Sequence, residues 1–130
     1  MAGTVTLEHY TIGNIRKVVA TCVADAADAS FPDTVLPPIE GRLLSLATNP
    51  GGTAPTANYD VTVENQHGAD VLQGVGANRH TSNTEQVPVL YSGTGTHPAV
   101  DESDTLTLKI ANNAVNGAQT VVELTYALGG

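Results

Sequence analysis

The sequence predicts an all-β domain, an antiparallel β-sandwich of jelly-roll-like form with seven to eight short strands and little helix. Three observations predict it. Apolar and polar residues alternate with period two in short runs, as in Tyr59, Val61 and Val63 against Asp60, Thr62 and Glu64, the mark of a strand with one buried face. Turn-forming clusters such as Asn49-Pro50-Gly51-Gly52, Asn65-Gln66-His67-Gly68 and Asn116-Gly117 separate the runs at short spacing, as they do in sandwiches. The apolar residues are mainly Val, Leu, Ile and Ala, with no Trp, one Phe and four Tyr, a set suited to two sheets that lie close together.

Taken in order, Thr4 to Glu8 reads as a first short strand and Ile15 to Ala24 as a longer one. In the longer run Val18, Ala20 and Cys22 share one face and Val19, Thr21 and Val23 the other, so it should be central. From Asp25 to Pro38 the pattern fails. Pro37-Pro38 excludes both helix and interior strand, and the segment is expected to be a long ordered loop. Ile39 to Thr48 recovers strand character around Leu43, Leu44 and Leu46. Tyr59 to Glu64 is the next strand, and residues 65–68 tolerate positive φ, so Ala69 to Gln73 should return as the second arm of a hairpin. Gly74 to Asn83 is a second loop. In Glu85 to Tyr91, Gln86 and Pro88 alternate with Val87, Val89 and Tyr91, and Pro88 removes a donor, which marks an edge strand or a bulge. Ser92 to Ser103 is a third loop. Thr105 to Ala111, with Leu106, Leu108 and Ile110 on one face, and Thr120 to Leu128, with Val122, Leu124, Tyr126 and Leu128 on one face, complete the set.

At 130 residues the chain is read as one domain, residues 1–130, large enough to bury about two-thirds of the surface its unfolded form exposes. The single Cys22 has no partner within the chain and lies in an apolar run, so a buried structural thiol is expected. No basic stretch followed by an apolar one opens the sequence, and no apolar run approaches about 18 residues. A soluble protein made in the cytoplasm, with no membrane partner, is the expectation. Thirteen acidic residues against five basic ones give a net charge of −8. That balance repels phosphate backbones and argues against nucleic acid, while it suits docking onto a basic protein surface. A charged fraction of 14% is low for a free monomer, so part of the surface should be covered in use.

The residue types that carry chemistry do not form a recognisable centre. His9, His67, His80 and His97 lack the local spacing of a zinc site. The acidic groups Asp25, Asp28, Asp33 and Asp101, Glu102, Asp104 lack the glycine and distal glutamate of a calcium loop. Gly74-Val75-Gly76-Ala77-Asn78-Arg79 begins like a dinucleotide fingerprint but has neither its third glycine nor its helix. Ser82, His80 and an aspartate can be grouped as a triad on paper, yet no G-x-S-x-G elbow exists. No catalytic residue, metal ligand or cofactor is therefore assigned, and the protein is not expected to be an enzyme. Arg79, a guanidinium in a glycine-rich loop, can lock that loop or reach a partner.

The run Gly52-Thr53-Ala54-Pro55-Thr56-Ala57-Asn58-Tyr59-Asp60-Val61-Thr62-Val63, followed by Gly68, Asp70-Val71-Leu72, Gly74, Gly76-Ala77-Asn78-Arg79 and Thr84-Glu85-Gln86, resembles a family of small virion structural proteins of tailed bacteriophages. The likeness extends to His97-Pro98-Ala99-Val100, Leu106 to Ile110 and Thr120-Val121-Val122. It covers the last two-thirds of the chain and leaves out Asp25 to Pro38. The resemblance implies a virion component that supplies no catalytic residues. The expectation drawn from it is a capsid decoration or cement protein on the outer surface of the head. Its partner would be the major capsid protein, and it would associate with itself, a trimer being favoured over a dimer. Alternatives are a head-to-tail connector or tail subunit and, from another class, a carbohydrate-binding module. The residues expected to make the contact are Asp28, Phe31 and Asp33 in the first long loop and Asn78, Arg79 and His80 in the second, because loops on a rigid sandwich carry recognition.

Overall fold

The computed structural model describes residues 3–91, 95–101 and 103–128. Among the described residues nine strands are present, β1 (Thr4–Ile12), β2 (Ile15–Val23), β3 (Thr34–Val35), β4 (Gly41–Pro50), β5 (Asp60–Glu64), β6 (Glu85–Pro88), β7 (Ala99–Val100), β8 (Thr107–Ala111) and β9 (Gln119–Ala127). They form an antiparallel six-stranded sheet and a three-stranded one. The larger runs β1-β2-β9-β4, with β6 and β7 placed end to end along the far side of β4; the smaller runs β3-β8-β5. From β2 onward the chain alternates between the sheets, except that the consecutive strands β6 and β7 both lie in the larger one. β8 inserts between β3 and β5 in one, and β9 between β2 and β4 in the other, the nested antiparallel order of a jelly roll.

The alternating runs are the core-facing strands. Val18, Ala20 and Cys22 on β2, Leu43 and Leu46 on β4, Val61 and Val63 on β5, and Val122, Leu124 and Tyr126 on β9 are all buried between the sheets. Packing is close: a void between the sheets, lined by residues such as Leu36, Leu46, Leu108 and Leu124, is about 10 Å³, too small and apolar for an ordered water. Tyr59 carries its hydroxyl across the core to Thr120 Oγ1 at 2.9 Å, so the polar tip of a fully buried ring is satisfied.

Several expectations are corrected. There are nine strands instead of seven to eight, because β3 and β7 are two-residue strands inside segments read as loops. The first strand runs on to Ile12, since every residue from Thr4 onward finds a partner on β2. β2 is interior, but β9 occupies the place between it and β4, and the outer face of β2 is uncovered, with Thr21 exposed. Of the two readings of Pro88 the edge strand holds for β6, while the sheet's bulge lies in β4, between Leu43 and Ser45. Tyr91 does not share the inward face of Val87 and Val89: the strand stops at Pro88 and the ring is 41% exposed. The third loop, Ser92 to Ser103, lies partly outside the described residues.

The largest departure follows β5. Ala69 to Gln73 starts back as a hairpin arm, with an antiparallel bridge of Glu64 to Asp70, but does not continue as a strand. Asp70 Oδ1 accepts the N–H groups of Val63 and Leu72, and its Oδ2 accepts that of Gly74, which curls the chain into consecutive turns. This segment still lies along the outer side of β5, through Val71 N–H to Val63 O, Val61 N–H to Gly76 O and Arg79 N–H to Tyr59 O at 2.7–2.8 Å. The regular ladder of β5 is made with β8.

Candidate functional surface

The two loops nominated from the sequence meet at one end of the sandwich. β2 and β4 finish there and β9 begins there, as the pairing of Val23 with Gln119 and of Pro50 with Thr120 shows. The loops at this end are 24–33, 51–59, 77–84 and 112–118, and side-chain amides and carboxylates stitch them together. Asn113 is the hub. Its Oδ1 accepts the N–H groups of Thr56 and Val115, and its Nδ2 donates to the carbonyls of Ala29 and Val115. Asp60 joins the other pair, accepting the Asn78 N–H at 2.9 Å with one oxygen and the Asn112 amide with the other. Ala29, Asn58, Asn78 and Asn112 adopt positive φ here, a conformation that persists only where surrounding bonds impose it.

The six nominated residues have different positions on this frame. Asp28 is exposed. Its Oδ1 accepts the N–H and the hydroxyl of Ser30, bonds that hold the carboxyl below its ordinary range. Phe31 is only 6% exposed and belongs to the core, because it is the one large apolar side chain with which this loop can anchor itself. Asp33 is exposed and lies 3.9 Å from Lys109, which Glu64 holds more closely at 3.1 Å. Asn78 is exposed. Arg79 directs its guanidinium into its own loop: Nε and Nη2 donate to the Ala77 carbonyl at 3.3 and 3.2 Å, while Nη1 lies 3.5 Å from Glu85 without hydrogen-bond alignment. Its side chain is 12% exposed. The same Glu85 oxygen accepts the His80 N–H at 2.8 Å.

His80 Nδ1 accepts the N–H groups of Ser82 and Asn83, at 3.0 and 2.8 Å. The Ser82 hydroxyl is 3.4 Å from that nitrogen. His80 Nδ1 is thus engaged by the backbone donors of its own turn. Among the described residues no three His, Cys, Asp or Glu side chains converge on a point that could hold a metal ion. The carboxylates of Asp25, Asp28 and Asp101 instead bind N–H or hydroxyl groups of their own turns. What this end offers is a set of directional polar groups on an immobilised backbone.

No family model matches the chain, and neither do any curated protein or solved structure. The likeness to virion proteins rests on the quoted residues alone. Asn112, Asn113 and Asp60 escaped the sequence reading, which set Asp60 on the solvent side of a strand. The pairing of Asn112-Asn113 before Asn116-Gly117 is the one local signal that could have suggested a capped loop.

Proposed function

We propose that the protein is a structural component of a tailed-phage virion, a decoration or cement protein. In this reading it binds the outer surface of the major capsid protein shell and stabilises the head without catalysis or cofactor. The observation that carries the reading is the stitched loop end, where Asn113 and Asp60 fix four loops into one surface exposing Asp28, Asn78 and His80. A surface already ordered before contact loses little conformational entropy on docking, and repeated copies on a shell make modest contacts sufficient. The quoted resemblance and the jelly-roll order, an architecture recurrent in viral shells, support the same reading; the architecture does so only by analogy.

Heads prepared without the protein test it. Adding the purified chain should decorate the shell in electron micrographs and raise the temperature at which heads burst. Ala57→Arg with Ala114→Arg places two long side chains on the loop end, where both alanines are exposed. That variant should melt like the wild type and occupy fewer sites. Location at the tail in a few copies, with head stability unchanged, would replace the cement role with that of a connector or tail subunit. Specific capture on a glycan array without head binding would replace it with a carbohydrate-binding one.

A further inference from the structure

The sandwich guards its sheet edges unequally. On the larger sheet the β6–β7 side is broken into strands of four and two residues, with Pro88 in β6 and Pro98 before β7. On the smaller sheet β3 has two residues between Pro32 and Pro37-Pro38, and the outer side of β5 is occupied by the turns of residues 70–79. β1 has none of these protections. It is nine residues long, contains no proline, glycine or lysine, pairs only with β2 among the described residues, and ends in Tyr10 and Ile12, 52% and 84% exposed. Long unguarded edges pair with another strand, and soluble proteins usually blunt them.

We propose that β1 is a self-pairing edge: a second copy of this chain adds its own β1 antiparallel across a twofold axis at Leu7, joining the two larger sheets. The side chains favour a second copy over a foreign strand because the strand is complementary to itself in this register. Tyr10 meets Thr4, His9 meets Val5, and Glu8, the only carboxylate of the strand, meets the Thr6 hydroxyl. An axis one residue along would set Glu8 against Glu8, which is destabilising. Val5 and Leu7, half-buried against the core, would lose their remaining contact with water. The pairing is isologous, so it closes at two copies, where the sequence reading favoured three. It requires nothing of the capsid reading.

Sedimentation equilibrium over a concentration series tests it, with circular dichroism to confirm that each variant folds. The wild-type chain should approach twice 13.3 kDa. Thr6→Glu sets two carboxylate pairs across the axis and should weaken the dimer by about tenfold. Thr6→Lys should tighten it by placing ammonium groups opposite Glu8, and Glu8→Lys added to that variant should weaken it again. Leu7→Cys should cross-link spontaneously, more readily than cysteine at Thr6 or Glu8, because only the residue on the axis faces its own copy; Cys22 is buried and does not interfere. A wild-type monomer at every concentration, equal effects of Glu and Lys at position 6, or cross-linking that peaks elsewhere would overturn the proposal. So would a monomer whose binding to heads is blocked by Thr6→Glu, a result that would assign the edge to a strand of the shell.

Discussion

Cys22 is fully buried on the core face of β2, and burial pushes its thiol up to about 12 from an ordinary value of 9.0. The unfolded chain releases this proton near pH 9.0 and the folded chain holds it until about 12, so the native state binds more protons between those values. The thiol's contribution to stability is therefore complete below pH 9.0 and is lost as pH rises to about 12, at about 1.4 kcal/mol per pH unit. Tyr59 and Tyr126, raised mainly by burial as well, add to the same alkaline slope. Cys22→Ala should remove only the thiol's share. Urea unfolding across this window should show a shallower decline for the variant, and identical slopes would mean that water reaches the sulfur.

Among the elements, the segment after β5 is held by contact where it lacks ladder pairing. The Gly76 carbonyl accepts the Val61 N–H, and a Cβ at Gly76 would sit 2.0 Å from the Val61 carbonyl oxygen. Gly76→Ala must therefore push the segment off β5, at a cost of about 3 kcal/mol or more. Gly74 provides the control. Its φ of +80° disfavours a side chain, but a Cβ there has nothing within 4 Å, so Gly74→Ala should cost only about 1 kcal/mol of backbone strain. Urea midpoints for the two variants measure the difference, and equal losses would mean that the segment does not press on the strand. The bulge in β4 matters in another way: the carbonyl of Leu44 accepts the Val89 N–H at 3.0 Å, which carries the chain inward after Pro88 and seats Val89 in the core.

For the whole molecule, the loop end decides how firmly the sandwich holds its shape beyond its strands. Asn113→Ala removes five side-chain hydrogen bonds that tie together three separated segments. The buried packing between the sheets is untouched, so the loss should be about 1–3 kcal/mol rather than unfolding. Hydrogen exchange should quicken at the Thr56 and Val115 amides while β9 and β4 keep their protection. Faster exchange throughout the strands would show that the end loops and the core unfold as one unit. The −8 charge acts at the same scale: copies repel at long range, so added salt should strengthen self-association through β1 by screening.

The sandwich class, the facing of most strands and the buried thiol were legible in the sequence, because a period of two fixes which side chains can face a common core. Tyr59, Val61 and Val63 were read inward and are at most 1% exposed. The edge position of β6 was equally readable from the missing donor of Pro88. The candidate surface was legible only in part: the two loops were named, but not the amides that bind them together. Long-range pairing decided the rest. β9 lies between β2 and β4, and β8 between β3 and β5, contacts between residues far apart in the chain that leave no mark on local periodicity. Phe31 looked available for contact because it sits in a polar loop, and Arg79 was read as able either to lock its loop or to reach a partner. Tertiary structure placed Phe31 in the core and folded Arg79 onto the Ala77 carbonyl, where it locks the loop, since an apolar ring gains by burial and a guanidinium by nearby oxygens wherever the fold supplies them.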